Sequence, residues 1–499
     1  MAAGREPLRY RFGPLERRGV IAGLRGNQVA ALGAGALAAA MLVRGGTVAG
    51  VGLALAAATA AAVAAFAPVG GRIVLAWAPV AAAFGARRGT GGHRFRSAAA
   101  GRGTTFRAGR PAAADLPREL AGVELLAVPY DGVQEVGVLA EGGRYAAVLS
   151  ARGRSFALKD WSEQEQQLAA WAGVVAELGR EGSPVVRLQW TERTVPDDGR
   201  ERQRYLTTTR DPALDPGSPV LRSYQALVDA AGPVTQAHRL HLAVQVDPGR
   251  ARRAVRQAGG GAAGACAVLL REAETLARRL RDAGIEVDGI LAPRLLAQEL
   301  RLALDPAARQ QLAWAAVRDG TEGGVDPRAA WATAAEETWR SYRTDSAVHR
   351  TYWIEEWPRT EVGANFMAPL LVGTSVVRTV GVTMEPVNVL RATRSAEHAR
   401  LADESDNELR TRMGFRTTAK RRRQQENVVL REEELADGHA DVRFSGYVTV
   451  SAADEERLEE ACGEVEHHAS QAHLVLKSCN GEQARAFTYT LPLCRGLRP

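Results

Sequence analysis

The chain has 499 residues, of which 46% are hydrophobic and 24% charged, so it can bury a sizeable core and wholesale disorder is not expected. A typical domain size of about 150 residues predicts about three units. The net charge of +7 is unevenly distributed: residues 1–110 contain fifteen Arg and two Glu, whereas residues 111–499 contain 49 basic and 55 acidic side chains. This division excludes a uniformly basic nucleic-acid binder and indicates a basic, apolar front end attached to a mildly acidic body.

The front end begins with a basic N-terminus, residues 1–25, and two charge-free runs follow it. The runs cover residues 26–43 and 45–71 and are separated by Arg44. A helix needs about 20 residues to cross about 30 Å of hydrocarbon, and each run reaches or nearly reaches this length. We predict a two-helix transmembrane hairpin; the alternative is a buried Ala-rich hairpin in a soluble domain. Arginines flank the pair while the turn holds Arg44 alone, so both termini are predicted to be cytoplasmic at the cell membrane.

A third apolar stretch, residues 73–84, is too short to span a membrane. We predict an interfacial or re-entrant helix that ends at Arg87 and Arg88, so the membrane part covers residues 26–84. Residues 85–115 are rich in Gly and Arg and are predicted to be a flexible basic linker. This linker either lies against anionic lipid headgroups or forms a solvated tether.

Residues 116–200 are predicted to form a small α/β domain. Short runs with β-branched and aromatic residues predict strands at 123–129, 135–140, 145–150 and 185–190, with a further candidate at 154–159. Ser162 and Glu165 fit a capping box that opens a helix before the last strand. A sequence rich in Pro, Asp and Gly from 194 to 219 marks the domain boundary.

Residues 215–499 are predicted to form an α+β domain. The patterns predict helices at 223–231, 265–283, 293–303 and 453–470, and strands at 239–246, 285–290, 349–358, 376–384, 442–450 and 473–477. A polar, Pro-free stretch at 387–440 predicts a long helical insertion. The strand–helix–strand repeats indicate ferredoxin-like halves, so the fold class is α+β with cytoplasmic α/β domains behind the hairpin.

Three candidate sites are weighed against structural interpretations. The glycines at 259–261 precede a helix, but the chain has no Gly-Lys dipeptide, which excludes a Walker phosphate loop. A group formed by His467, His468, His473, Cys462 and Cys479 lacks the helical spacing of metal ligands. The run Lys420 to Arg423 is followed by glutamates that neutralise it on the same helix. We therefore predict no catalytic residue, no cofactor and no metal, and direct nucleic-acid binding is not expected.

Five segments carry a family resemblance. Residues 9–19 (RYRFGPLERRG) before the hairpin resemble an actinobacterial integral membrane family encoded beside PrgI-like proteins and conjugation-type ATPases. The segments DSAVHRTYWIEEWPR, RTVGVTMEPV, FSGYVTV and FTYTLPL, which begin at Asp345, Arg378, Phe444 and Phe487, resemble the same family. More distantly, they are similar to the amino-terminal domain of the type IV secretion ATPase, without its motor domain.

The resemblance implies a non-enzymatic scaffold of a type IV-like secretion or conjugative transfer apparatus. Its expected partners are a conjugation-type ATPase on a separate chain, a PrgI-like membrane protein and membrane lipids. Two alternatives remain open. One is an accessory membrane subunit of a type VII secretion apparatus, and the other is a membrane-anchored transferase that uses the loop at 259–261.

Overall fold

The computed structural model describes residue 12 and residues 26–69, 72–97, 116–153, 159–196, 209, 211, 215, 217–231, 236–309, 311–312, 324–373, 375–387 and 441–497. The helices are α1 (Gly26–Val43), α2 (Val48–Phe66), α3 (Val74–Gly89), α4 (Trp161–Leu178), α5 (Pro219–Ala231), α6 (Arg252–Gln257), α7 (Gly261–Asp282), α8 (Pro293–Leu304), α9 (Ala368–Val372), α10 (Glu455–Gln471) and α11 (Gln483–Phe487). The strands are β1 (Pro68–Val69), β2 (Arg72–Ile73), β3 (Arg94–Arg96), β4 (Val123–Tyr130), β5 (Gln134–Glu141), β6 (Arg144–Arg152), β7 (Val185–Pro196), β8 (Gln236–Val246), β9 (Glu286–Ile290), β10 (Ala334–Glu337), β11 (Tyr342–Thr344), β12 (Ala347–Glu356), β13 (Val377–Val387), β14 (Asp441–Ala452) and β15 (Val475–Ser478). This mixture of helix and strand agrees with the predicted α+β class.

Helices α1 and α2 pack side by side as an antiparallel hairpin. Gln28 Nε2, near the start of α1, donates a hydrogen bond to Ala65 O, near the end of α2, at 2.8 Å. Gly35 permits close packing at the middle of the pair, because a Cβ atom there would lie 2.3 Å from Ala61 Cβ. The two charge-free runs therefore form a helical hairpin with a very short turn.

The hairpin presents apolar surface to its surroundings. Among the described helices, α2 is long and apolar enough to cross a membrane. Its most apolar stretch of 18 residues has a mean hydropathy of 2.0, and 17% of that stretch is buried. The apolar part of α1, Gln28–Val43, is shorter. Most of this stretch of α2 is therefore exposed. Exposed apolar surface of this extent needs a partner or a membrane to cover it.

In the described part of the chain, all strands except β1 and β2 belong to one antiparallel sheet. Its order is β3-β10-β11-β12-β14-β13-β7-β8-β6-β5-β4, with β15 also paired to β12 and β9 also paired to β6. The candidate boundary near residue 200 falls between β7 and β8, which are hydrogen-bonded neighbours over most of their length. Strands from both predicted domains therefore share one continuous sheet.

The sheet contains two similar halves. In the first repeat, residues 144–290, the chain order β6-α4-β7-β8-α7-β9 gives the strand order β9-β6-β8-β7. In the second repeat, residues 347–478, the chain order β12-α9-β13-β14-α10-β15 gives the order β15-β12-β14-β13. Both are the βαββαβ arrangement of ferredoxin-like folds. The repeats join where β7 pairs with β13, with Thr191 opposite Gly381.

The helices of both repeats cover the same face of the sheet. Leu269 and Leu276 of α7 pack with Leu188 of β7 in one apolar cluster, which also contains residues of α4. Leu458 and Val465 of α10 pack against the second repeat in a neighbouring cluster. The helical spacing of these leucines explains why α7 and α10 each bury one side against the strands.

The other face is covered by α8 and the C-terminal segment. Leu296 and Leu300 of α8 join Phe487, Leu491 and other C-terminal residues in a third cluster. Because both faces are covered, the central strands β8, β13 and β14 show continuous buried runs instead of alternation. Uninterrupted burial of this kind favours β-branched and small side chains throughout a strand.

Two local predictions need correction or lie outside the described residues. Helix α4 begins at Trp161 after Asp160, so the proposed capping box at Ser162 and Glu165 lies inside the helix and does not open it. Asp160 holds the N-cap position, and its carbonyl oxygen accepts hydrogen bonds from Glu163 N and Gln164 N at 3.0 Å. The candidate strand at 154–159, except Lys159, and the helical insertion predicted after Val387 up to residue 440 lie outside the described residues.

Candidate functional site

Helix α3, which follows the hairpin, packs against the body of the chain, residues 116–497. Trp77 and Phe84 contact Trp339, with ring centroids 5.6 and 5.2 Å apart, and the Phe84 ring meets Trp339 edge-on. Gly481 makes room for this contact, because a Cβ there would lie 2.8 Å from Val80 and 2.7 Å from Trp339. One side of the predicted interfacial helix is thus a packing surface for the body.

Ion pairs reinforce this contact. We call it the junction and define it as the contact of α3 and β3 with residues 333–339 and 481–484. Arg87 Nε lies 3.0 Å from Glu337 Oε2, and its Nη2 donates to Gly481 O at 2.6 Å. Arg72 pairs with Glu482 at 3.4 Å and stacks over Trp77. Burial raises the pKa of the Glu337 carboxyl, while the Ala484 N–H and Arg87 oppose that rise.

The chain after α3 stays attached to the body. Strand β3 pairs with β10, and Ser97 N donates to Thr333 O at 2.8 Å. Arg94 also pairs with Glu336 at 2.8 Å. The described part of the predicted linker, residues 85–97, is therefore helix, turn and strand that contact the body, whereas a flexible linker, either on lipid headgroups or as a solvated tether, was predicted. The difference arises because the arginines of this segment meet carboxylates that lie more than 200 positions away in sequence.

A cavity of about 760 Å³ lies between α3, the turn at 118–121 and the C-terminal segment. Most of its lining residues are charged, and both signs are present. The arginines are Arg87, Arg118, Arg187, Arg485 and Arg495, and the carboxylates are Glu119, Glu141, Glu337 and Glu482. We call it the arginine cavity.

Described residues hold three of the five arginines of this cavity. Arg495 binds the Glu141 carboxylate with its Nε at 2.9 Å and Glu119 O with its Nη1 at 2.7 Å. Arg187 Nη1 donates to Cys494 O at 3.0 Å. Arg118 and Arg485 are exposed, and their side chains bond to no other residue that the structure describes. The cavity therefore offers two uncommitted guanidinium groups.

A buried polar cluster lies at the seam between β7 and β13. Arg378 is fully buried, and none of its three guanidinium nitrogens has a hydrogen-bond partner in the described chain. Glu192, on the same face, accepts hydrogen bonds from Thr194 and from His238 Nδ1, the latter at 2.7 Å. Burial lowers the pKa of Arg378, and Glu192 opposes that change.

A second cluster lies on the other face of the sheet, between β7, β8 and α8. Glu299 of α8 pairs with Arg239 and with Arg193, whose Nη1 is 3.3 Å from Glu299 Oε2. Burial lowers the pKa of the adjacent His241 to about 4, so this imidazole is neutral at pH 7. Sequence reasoning missed both clusters, since charged residues are rarely buried and no local motif marks them.

An aromatic contact brings the N-terminus to the body. The Phe12 ring lies 5.4 Å from Trp357, 5.3 Å from Phe366 and 6.2 Å from Phe444. Trp357 therefore serves as a packing aromatic. The body is thus in contact with the chain both before and after the hairpin.

The candidate motifs from the sequence do not converge. The glycines at 259–261 all have positive φ and form a turn between α6 and α7, so they follow a helix and not a strand. His467 and His468 share Gln471 as a hydrogen-bond partner, while Cys462 and Cys479 are buried. No group of three possible metal ligands occurs among the described residues. The basic run at 420–423 lies outside them.

Comparison with known protein families gives one match. Residues 234–354 match a family model described as a putative type VII ESX secretion system translocon, EccE. The match covers about a quarter of the chain and extends from just before β8 to near the end of β12, so it includes α7 and α8. A comparison with curated proteins found no match.

Proposed function

We propose that the chain is a structural membrane subunit of a type VII, ESX-type secretion translocon. The observation that carries this proposal is the family match over residues 234–354. The matched residues form part of the folded core of the sheet. The match favours the type VII alternative over the type IV scaffold that the sequence resemblance implied.

In this proposal the α1–α2 hairpin spans the membrane. Its helices of 18 and 19 residues measure about 27 and 28.5 Å at 1.5 Å per residue, close to the thickness of the hydrocarbon core. Arg25 before α1 and Arg72 after α2 flank the pair, and Arg44 lies in the turn. The excess of arginine beyond the two outer ends favours a cytoplasmic location for both termini and for the body.

The junction would hold the body against the cytoplasmic membrane surface. Only residues 67–73 separate α2 from α3, and α3 is packed on Trp339. Phe12, which precedes the hairpin in the sequence, also contacts the body. A body held at two points cannot diffuse away from the membrane as a tethered domain would, and this geometry suits a scaffold that positions other subunits.

Co-purification tests the assignment. We expect an affinity-tagged chain, solubilised from membranes with a mild detergent, to recover the channel subunits of a type VII apparatus. The same preparation from cells that carry the tag on an unrelated membrane protein is the control. Recovery of a conjugation-type ATPase or a PrgI-like protein without type VII subunits would instead support the type IV scaffold. A transferase would be indicated by saturable binding of a nucleotide sugar to the purified chain.

A further inference from the structure

The arginine cavity holds more positive charge than its own carboxylates neutralise. Among the described residues of the lining, five guanidinium groups face four carboxylates, and one of those carboxylates, Glu482, is already paired with Arg72 from outside the lining. Arg118 and Arg485 are left without a described partner. An arrangement of this kind attracts an anion into the cavity.

The lining is also divided by polarity. The wall formed by α3 contributes Pro79, Val80 and Ala83, whereas the charged side chains come mainly from the turn at 118–121 and the C-terminal segment. A ligand with a charged end and an apolar end matches both walls at once. The volume of about 760 Å³ is within the usual range for small-molecule sites.

We infer that the arginine cavity binds the phosphate group of an anionic lipid headgroup, with Arg118 and Arg485 as the principal contacts. Guanidinium groups match phosphate oxygens with paired, charge-assisted hydrogen bonds. The choice of a lipid rests on the proposed function, because only there does α3 lie next to the inner leaflet. A free phosphate compound is the other source of the same chemistry.

Titration of the purified full chain in neutral detergent tests the inference. Phosphatidylglycerol, phosphatidylcholine and inorganic phosphate are added separately, and native mass spectrometry measures the dissociation constant of the first bound molecule. The test variant is Arg118→Gln with Arg485→Gln. The matched control is Arg252→Gln with Arg253→Gln, since these two exposed arginines lie on α6 and do not line the cavity.

We expect phosphatidylglycerol to bind more tightly than phosphatidylcholine, and the test variant to weaken that binding about tenfold or more, because losing even one charge-assisted hydrogen bond has about a tenfold effect. The control variant should bind as the unmodified chain does. Equal loss in both variants, or no loss in the test variant, would overturn the site. Binding of inorganic phosphate as tight as that of phosphatidylglycerol would overturn the lipid as its source. This titration uses the isolated chain, so a negative result concerns the lipid site alone. The translocon assignment is tested separately by co-purification.

Discussion

At the scale of single residues, the body is unusual for the polar groups that it buries along the sheet. Arg378 and Glu192 lie on one face at the seam, and Glu299 pairs with arginines on the other. His349 of β12 is fully buried and lies 2.7 Å from Thr344 Oγ1 and 2.8 Å from Ser451 Oγ. Burying such groups costs free energy unless they are hydrogen-bonded or paired with an opposite charge. Where a buried group titrates, the free energy of unfolding therefore depends on pH.

His349 gives a pH prediction with a definite sign. Burial lowers its pKa from 6.5 to about 4, so the folded state holds the imidazole neutral while the unfolded chain binds a proton below pH 6.5. The stability it contributes is complete above pH 6.5 and is lost as the pH falls towards 4. We expect His349→Gln to flatten the dependence of the urea midpoint on pH across this window, by up to about 3 kcal/mol in free energy of unfolding.

His467→Gln is the control for this measurement, because His467 is exposed on α10. It should leave the pH profile as in the unmodified chain. A His349→Gln profile as steep as that of the control would show that other groups govern acid unfolding.

At the scale of elements, α3 connects the apolar hairpin to the sheet. Its aromatic residues and Arg87 contact Trp339, Glu337 and Gly481 of the body. None of these contacts could be predicted from the local sequence. A helical pattern shows which residues share a face of the helix, but it does not show which part of the protein packs against that face. The existence of most helices and strands was predictable, since their apolar periodicity is local, and β12, β14 and α10 begin and end within about two residues of prediction.

Removing the central aromatic residue of the junction should release α3. We expect Trp339→Ala to accelerate hydrogen exchange across α3 about tenfold or more, because two aromatic contacts of about 1 kcal/mol each are lost. Trp171→Ala is the matched control, since Trp171 of α4 packs with a different set of residues, those of the cluster that contains α7 and β7. Acceleration in the control but not in Trp339→Ala would contradict the proposed role of the junction.

The hairpin offers a prediction with its own internal control. A side chain at Gly35 would collide with Ala61, whereas one at Gly33 would meet nothing within 4 Å. We therefore expect Gly35→Val to lower the thermal stability of the detergent-solubilised chain, and Gly33→Val to leave it nearly unchanged. Equal effects of the two substitutions would mean that α1 and α2 do not pack as described.

At the scale of the whole molecule, two βαββαβ repeats share one sheet and the same helical face. In the second repeat the longest connection, residues 388–440, joins the second and third strands, whereas in the first repeat the connections at 197–235 and 247–285 are equally long. The sequence predicted ferredoxin-like elements but not the seam, because the pairing of β7 with β13 joins residues about 190 positions apart. Arg378 and Glu192, buried there, resemble surface residues in any local pattern, so the seam could not be inferred from the charges either.

The central claim, that the chain is a structural subunit of a type VII translocon, is tested most directly by secretion from cells that lack it. Deletion of the gene should abolish export of the type VII substrates into the medium, and expression of the unmodified chain should restore it, while cytoplasmic levels of those substrates stay the same. Normal export in the deletion strain, with conjugative transfer lost instead, would contradict the claim and support the type IV assignment.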